Sequence, residues 1–151
     1  MKSFSFLLFL VVSATFFAQK THYNTDKGFV VEGYDVVSYF TNKKPVPGNN
    51  KFQTTFDNVK FKFSSEKNLH LFKENPNRYI PQYGGFCAYA IAKSKTKMDI
   101  DAESYEIRDG KLYLFYTAWF SNKLENWKEE DTPKLQKEGD KNWSELKHKK
   151  N

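Results

Sequence analysis

Alternating apolar and polar residues between positions 52 and 63 predict a β-hairpin. The alternation runs through residues 52–56 and again through residues 59–63, with Asp57-Asn58 between the two runs. Period-two alternation on both sides of a turn is typical of two antiparallel strands that bury one face. The pattern therefore predicts two paired strands in the first half of the chain.

A second hairpin is predicted at residues 104–117. Residues 104–108 lead into Asp109-Gly110, a pair that favours a tight turn between strands. Residues 111–117 are then nearly all apolar or aromatic. A short continuous run of this kind is typical of a strand that is buried on both faces.

Helices are predicted between and after the hairpins. One begins at residues 64–66, where a serine hydroxyl can accept from free backbone amides, and ends at Asn75-Pro76. A short buried helix is predicted at 86–92. Another is predicted at 117–130, and a last one begins at Asp131-Thr132-Pro133, since proline suits the first helical position. Asp35 is predicted to cap a further short helix that begins at Val36.

These elements predict an α+β fold, with a small antiparallel sheet of two hairpins packed against several short helices in a single domain. The domain is expected to span residues 33–146, after an irregular lead-in at 19–32 and before a basic tail at 147–151. Of 27 aromatic residues (15 Phe, 9 Tyr and 3 Trp), those outside the N-terminal segment are interpreted first as core.

Residues 1–18 have the pattern of a secretory signal peptide. Lys2 precedes an apolar run at 4–17, and the small residue Ala18 follows. The run is shorter than the roughly 20 residues that a membrane-spanning helix needs. We therefore expect cleavage after Ala18, a periplasmic or secreted product, and no integral membrane segment after cleavage; an uncleaved anchor is the alternative.

The excess positive charge does not indicate nucleic-acid binding. The net charge is +6, with 24 Lys and Arg against 18 Asp and Glu. Basic and acidic residues are interspersed at 123–130, and Arg78 and Arg108 are the two arginines. Nucleic-acid binding requires basic residues concentrated on one face. We expect a solvated basic surface, no nucleic-acid partner, and, if any macromolecule binds, a protein of the cell envelope.

Cys87 is the first candidate for chemistry. It is the single cysteine, which excludes an internal disulfide, and it follows Tyr83-Gly84-Gly85-Phe86 at the start of a predicted helix. The positive end of a helix dipole lowers a thiol pKa, and a thiolate can act as a nucleophile or bind a soft metal. The alternative is a buried structural cysteine, because free cysteines are among the most buried residues.

His70 is the second candidate, since His22 and His148 lie near the ends of the mature chain. A Cys–His pair could hold a metal or activate the thiol, although a surface histidine is the simpler explanation of His70. A loop at 98–101 adds Met98, Asp99 and Asp101 as weaker candidate ligands. No complete zinc-ligand motif, nucleophile elbow or phosphate loop is present, so catalysis is not expected.

Several segments form a recognisable set: Gly33-Tyr34-Asp35-Val36-Val37-Ser38-Tyr39-Phe40, Phe61-Lys62-Phe63-Ser64-Ser65-Glu66-Lys67-Asn68, Asn75-Pro76, Pro81-Gln82-Tyr83-Gly84-Gly85-Phe86-Cys87-Ala88, Asp109-Gly110-Lys111-Leu112-Tyr113-Leu114 and Asn142-Trp143. Together, over roughly residues 32–146, they resemble exported proteins of the YHS-domain family.

The resemblance implies a small binding domain. The wider family occurs beside heavy-metal transporters and some oxygenase subunits, and is suspected of binding metals. In its metal-associated members cysteines follow the aromatic strand, where this chain has Ser64 and Ser65. We expect a binding module in which copper, zinc or iron could bind through Cys87; His70, the other candidate ligand, has no counterpart in the family motif. The alternatives are a thiol-dependent redox protein, or an envelope interaction module with an exposed aromatic patch.

Overall fold

The structure, a computed structural model, describes residues 22–149. The strands are β1 (Thr25–Asp26), β2 (Phe29–Val30), β3 (Asn49–Phe56), β4 (Val59–Phe63), β5 (Asp101–Arg108), β6 (Lys111–Phe115), β7 (Thr117–Ala118) and β8 (Ser121–Asn122). The α-helices are α1 (Ser38–Thr41), α2 (Glu66–Glu74), α3 (Pro76–Tyr79), α4 (Ala88–Ser94), α5 (Lys123–Glu129) and α6 (Thr132–Leu146).

The first sheet has four strands in the order β1-β2-β4-β3. β3 and β4 form the first predicted hairpin, in which Phe56 pairs with Val59. β2 runs parallel to β4, with Phe29 opposite Lys60, and β1 pairs antiparallel with β2. Residues 25–30, predicted as irregular, therefore form the other half of this sheet. A two-residue strand is too short to show an alternation of apolar and polar residues, so no sequence pattern predicted β1 and β2.

β5 and β6 form the second predicted hairpin, in which Arg108 pairs with Lys111 around the Asp109-Gly110 turn. β6 is buried at every position except its first, as its apolar run predicts. Cys87 makes an isolated bridge with Leu114 of β6, which ties the start of α4 to this hairpin. The α+β prediction is confirmed: small sheets and short helices form one compact domain.

The helix predicted at 117–130 is wrong in its first half. Residues 117–122 form the β7–β8 hairpin, and α5 begins only at Lys123. The Asn122 side chain accepts a hydrogen bond from the Glu125 amide at 3.2 Å, which makes Asn122 the cap of α5. Apolar residues at 119, 120, 124 and 127 mimic helical spacing, and this hid the hairpin.

Three other predicted helix starts agree with the structure to within three residues. Ser65 caps α2 by accepting from the Asn68 amide at 3.2 Å, and Asp131 caps α6 by accepting from Lys134 at 3.1 Å. The short helix at 86–92 begins two residues later, as α4. Within residues 22–149, no helix combines the length and apolar character that crossing a bilayer requires.

The core contains two groups of aromatic rings. In the first, Phe72 of α2 packs on Phe61 and Phe63 of β4, with ring centres 4.7 and 5.1 Å apart. In the second, Trp127 of α5 packs on Tyr113 and Phe115, at 5.5 and 5.4 Å. These aromatic contacts hold α2 against the first hairpin and α5 against the second. They stabilise a domain whose single cysteine excludes an internal disulfide.

Candidate functional site

The Tyr83–Cys87 motif is a tight turn that packs against both ends of the described chain. Tyr83, Gly84 and Gly85 are consecutive residues with positive φ, at 53°, 63° and 82°. A Cβ on Gly84 would lie 2.0 Å from the His22 carbonyl oxygen, so only glycine fits there. Asn24 donates from its backbone to the Gly84 carbonyl at 2.8 Å. Gly84 therefore allows close backbone packing, and Gly85 supplies the positive φ with which the turn ends.

Tyr83 anchors the last helix to this turn. Its hydroxyl lies 3.1 Å from a carboxylate oxygen of Asp140 and 3.3 Å from the Gln136 carbonyl, both on α6. Burial raises the pKa of Tyr83, and the nearby Asp140 carboxylate raises it further. The phenol therefore stays protonated and donates to α6.

Cys87 is fully buried, with 0% of its surface exposed, at the position immediately before α4. Its amide donates to the Met98 carbonyl at 3.0 Å. Burial raises the pKa of the thiol and outweighs the opposing hydrogen bonds from backbone amides and the Lys123 charge. The expectation of a lowered pKa at the helix start is thus wrong, because desolvation exceeds the effect of the helix end.

His70 does not share this environment. It is exposed on α2, whereas Cys87 is enclosed between α4 and β6. Asp99 accepts from the Asn24 side chain at 2.8 Å and from the Ile100 amide at 3.0 Å, and Asp101 accepts from the Glu103 amide at 2.9 Å, so both acids hold local structure. Among residues 22–149, no three His, Cys, Asp or Glu side chains are placed to hold a metal. Metal binding at Cys87 and His70 stays a prediction.

We expect the Cys87 thiol to resist alkylation in the folded protein. Its burial and raised pKa both lower the concentration of accessible thiolate. Labelling with iodoacetamide should go to completion only after denaturant is added, as followed by mass spectrometry. Rapid labelling of the native protein would contradict a structural Cys87 and restore the thiol-dependent alternative.

Asp35 is the centre of a buried network of hydrogen bonds. The sequence predicted only that it caps a helix. It is 0% exposed, and one oxygen accepts from the Val37 amide at 2.9 Å and the Ser38 amide at 3.3 Å. The other oxygen accepts from the Ser64 amide at 2.8 Å, the Ser64 hydroxyl at 2.6 Å and the Asn68 side chain at 2.7 Å. Asp35 thereby joins α1, which begins at Ser38, to the end of β4 and the start of α2.

The comparison with family models finds one match, which covers only part of this centre: Val37, Ser38, Ser64 and Asn68 lie within the match, and Asp35 lies two residues before it. The model of the YHS domain matches residues 37–83, which run from α1 through both strands of the first hairpin to Tyr83. The chain contains a YHS domain. No curated protein and no solved structure matches the chain.

The match divides the chain into a part that the YHS model covers and a part that it does not. The matched residues hold Ser64 and Asn68, so in this YHS domain the position after the aromatic strand binds Asp35. Cys87, the second hairpin and helices α4 to α6 lie outside the matched residues. The role of Cys87 therefore rests on its own burial and contacts.

The β7–β8 turn presents two aromatic side chains to solvent. Trp119 and Phe120 form the two-residue turn, and they are 97% and 102% exposed. We call this pair the aromatic tip. Ile107, at 37%, is the other large apolar residue that is exposed in residues 22–149. Because a helix is predicted at residues 117–130, the sequence alone does not identify Trp119 and Phe120 as an exposed pair.

A groove of about 330 Å³ lies beside the Tyr83 turn. His22, Gln82, Asp140, Trp143 and Lys147 contribute to its walls. It is open to solvent and lined by polar and apolar groups from both ends of the described chain. Tyr83 and Gly84 also line this groove, so it joins the Tyr83 turn to the surface.

Proposed function

We propose that this protein is an exported, non-catalytic binding module whose aromatic tip docks into an apolar pocket of a cell-envelope protein. The observation that carries the proposal is the almost complete exposure of Trp119 and Phe120. Contiguous exposed apolar groups on a soluble domain mark interaction sites. An exposed aromatic patch is what the interaction-module alternative requires.

Local folding does not account for these two residues. Two-residue hairpin turns favour Asn-Gly or Gly-containing pairs with positive φ. Neither Trp119 nor Phe120 has positive φ, and neither side chain packs into the core. The pair therefore serves neither the turn nor the core, and a partner supplies the missing contact.

The hairpin that carries the tip is fixed at its base. The Thr117 hydroxyl is hydrogen-bonded to the Ser104 hydroxyl at 2.8 Å, and Thr117 pairs with Asn122 across the hairpin. The Lys123 amide donates to the Tyr116 carbonyl at 3.0 Å. A preorganised base lowers the entropy cost of docking, and aromatic anchors dominate many protein interfaces.

The surroundings of the tip favour a protein pocket over an anionic membrane. Residues 117–122 contain no Lys or Arg. Lys123 is the nearest in sequence, and its ammonium lies 5.6 Å from the Tyr89 ring centre. Anionic bilayers attract clusters of basic residues next to an apolar anchor. Because the hairpin lacks such a cluster, a pocket with aromatic or aliphatic walls suits it better.

Site-specific photocrosslinking tests the docking. A photoreactive phenylalanine at Phe120 should give one discrete protein adduct in intact cells. The same group at the exposed residue Lys51 on β3 is the matched control. Adding Trp119→Ser to the Phe120 probe should remove the adduct. Lipid adducts alone, or identical adducts from both positions, would overturn the proposal.

The adduct identifies a partner whose affinity can then be measured. For the Trp119→Ser/Phe120→Ser variant we expect at least about 30-fold weaker binding, because each aromatic anchor at an interface contributes about 2 kcal/mol or more. Unchanged affinity would show that the contact lies elsewhere. Ile107→Ser serves as the control, since it changes another exposed apolar residue.

Export is tested separately. Mass spectrometry of the protein from the periplasm or medium should show a mature chain that begins at Gln19. Recovery of a chain that still begins at Met1, in the cytoplasm, would contradict export. The docking experiment does not depend on that result. The export prediction rests on residues 1–18, which lie outside those that the structure describes.

A further inference from the structure

His22 and His148, from opposite ends of the described chain, lie against each other. Their ring centres are 5.0 Å apart and their planes make an angle of 87°. His22 is half-buried and His148 is exposed. The residues are 126 positions apart in sequence (148 − 22), so only the folded chain reveals the pair.

The backbone on each side of the pair is held in place. His22 lies against the Tyr83 turn, where its carbonyl occupies the space that a Gly84 side chain would need. On the other side, the amides of Lys147 and Lys149 donate to the Trp143 and Leu146 carbonyls, both at 2.9 Å. The Lys97 ammonium also donates to the Lys149 carbonyl at 3.1 Å. The contact therefore joins two anchored segments.

The separation of the rings suits a shared metal ion. An imidazole nitrogen binds such an ion at about 2.0–2.1 Å, which puts the ring centre about 3.2 Å from the metal. Two rings that subtend about 90–109° at the metal then have centres about 4.5–5.2 Å apart. The observed 5.0 Å lies within this interval.

We propose that His22 and His148 form a copper(II) site, with water completing the coordination. Imidazole nitrogens suit copper, nickel and zinc, and copper(II) binds most tightly of the divalent first-row ions at a given site. His148 is exposed and His22 borders the open groove, so an ion and its waters have access. No third His, Cys, Asp or Glu joins them within residues 22–149, so water supplies the other positions.

The neighbouring charges determine the expected affinity of the site for copper(II). Lys147 and Lys149 flank His148, and Asp140 lies on the same groove as His22 and Lys147. The two ammonium groups repel a divalent cation, and two protein ligands are fewer than the three or four of tight sites. The site is therefore a weak, exchangeable one. It uses neither Cys87 nor the aromatic tip, so it stands independently of the proposed docking.

Copper(II) titration of the untagged protein, followed by calorimetry, tests the site. We expect one copper per chain in the wild type. Loss of an outer-shell partner alone costs about 10- to 100-fold in metal affinity, so His148→Ala should weaken binding by at least about tenfold. His22→Ala should do the same. His70→Ala is the matched control, because it removes an exposed histidine outside the pair.

The His148 variant distinguishes this site from copper bound at a free amino terminus near His22, which would not need His148. Pulsed electron paramagnetic resonance should show two imidazole nitrogens in the wild type and one in either variant. Thermal unfolding without metal should be the same for all the proteins. Absence of copper binding in the wild type, or full retention in His148→Ala, would overturn the proposal.

Discussion

Replacing Asp35 with alanine should lower the free energy of unfolding by about 4 kcal/mol, the largest effect we expect from a single polar side chain here. The carboxylate is fully buried and accepts five hydrogen bonds, from three backbone amides, one hydroxyl and one side-chain amide. Its removal leaves buried donors without an acceptor, and each such donor carries a desolvation cost.

Ser64→Ala is the control for this prediction. It removes one of the five donors and leaves the carboxylate with four hydrogen bonds, so it should cost only about 1 kcal/mol. Urea unfolding measures both free energies under the same conditions. Equal losses in the two variants would show that Asp35 is not the centre that holds α1, β4 and α2 together.

Trp127→Ala should lower the free energy of unfolding by a similar amount, about 4 kcal/mol. The indole is fully buried between Tyr113 and Phe115, and its Nε1 donates to Glu106 at 2.8 Å. Alanine leaves a cavity where α5 meets the second hairpin. It also removes the donor that Glu106 is bonded to in the wild type. Cavity formation adds to the lost transfer free energy, which makes such substitutions among the most destabilising.

Trp119→Ala is the matched substitution on the aromatic tip. Because Trp119 is almost fully exposed, its removal should change the free energy of unfolding by less than about 0.5 kcal/mol. The same chemical change then separates a folding role from a binding role. A loss at Trp119 comparable with that at Trp127 would mean that the tip packs against the domain, and the proposed docking would lose its basis.

The sequence predicted elements whose signals are local. Alternation in residues 52–63 gave the β3–β4 hairpin, and Asp109-Gly110 gave the β5–β6 turn. Ser65 and Asp131 marked the starts of α2 and α6 because a cap acts on amides only three residues away. The prediction was wrong at residues 117–122, where the spacing of apolar residues is typical of a helix. The two-residue turn of this hairpin contains no glycine, so the sequence has no turn signal there.

The candidate site was predictable only in part. Cys87 stands out in the sequence as the single cysteine, but its pKa depends on how far burial outweighs the helix end, and the sequence alone does not decide between the two. His70 was preferred over His22 and His148 because it lies mid-chain. In the structure His70 is exposed, whereas the ring centres of His22 and His148 lie 5.0 Å apart.

The sequence by itself determined the match of residues 37–83 to the YHS domain, the α+β class and the starts of α2, α4 and α6, because these depend on residue types at short separations. Tertiary structure alone decided which groups meet: Asp35 with Ser64 and Asn68, Tyr83 with Asp140, and His22 with His148. It also decided that Cys87 is enclosed while Trp119 and Phe120 protrude. The distances between these groups and the exposure of the aromatic tip depend on the packing of residues that are far apart in the sequence.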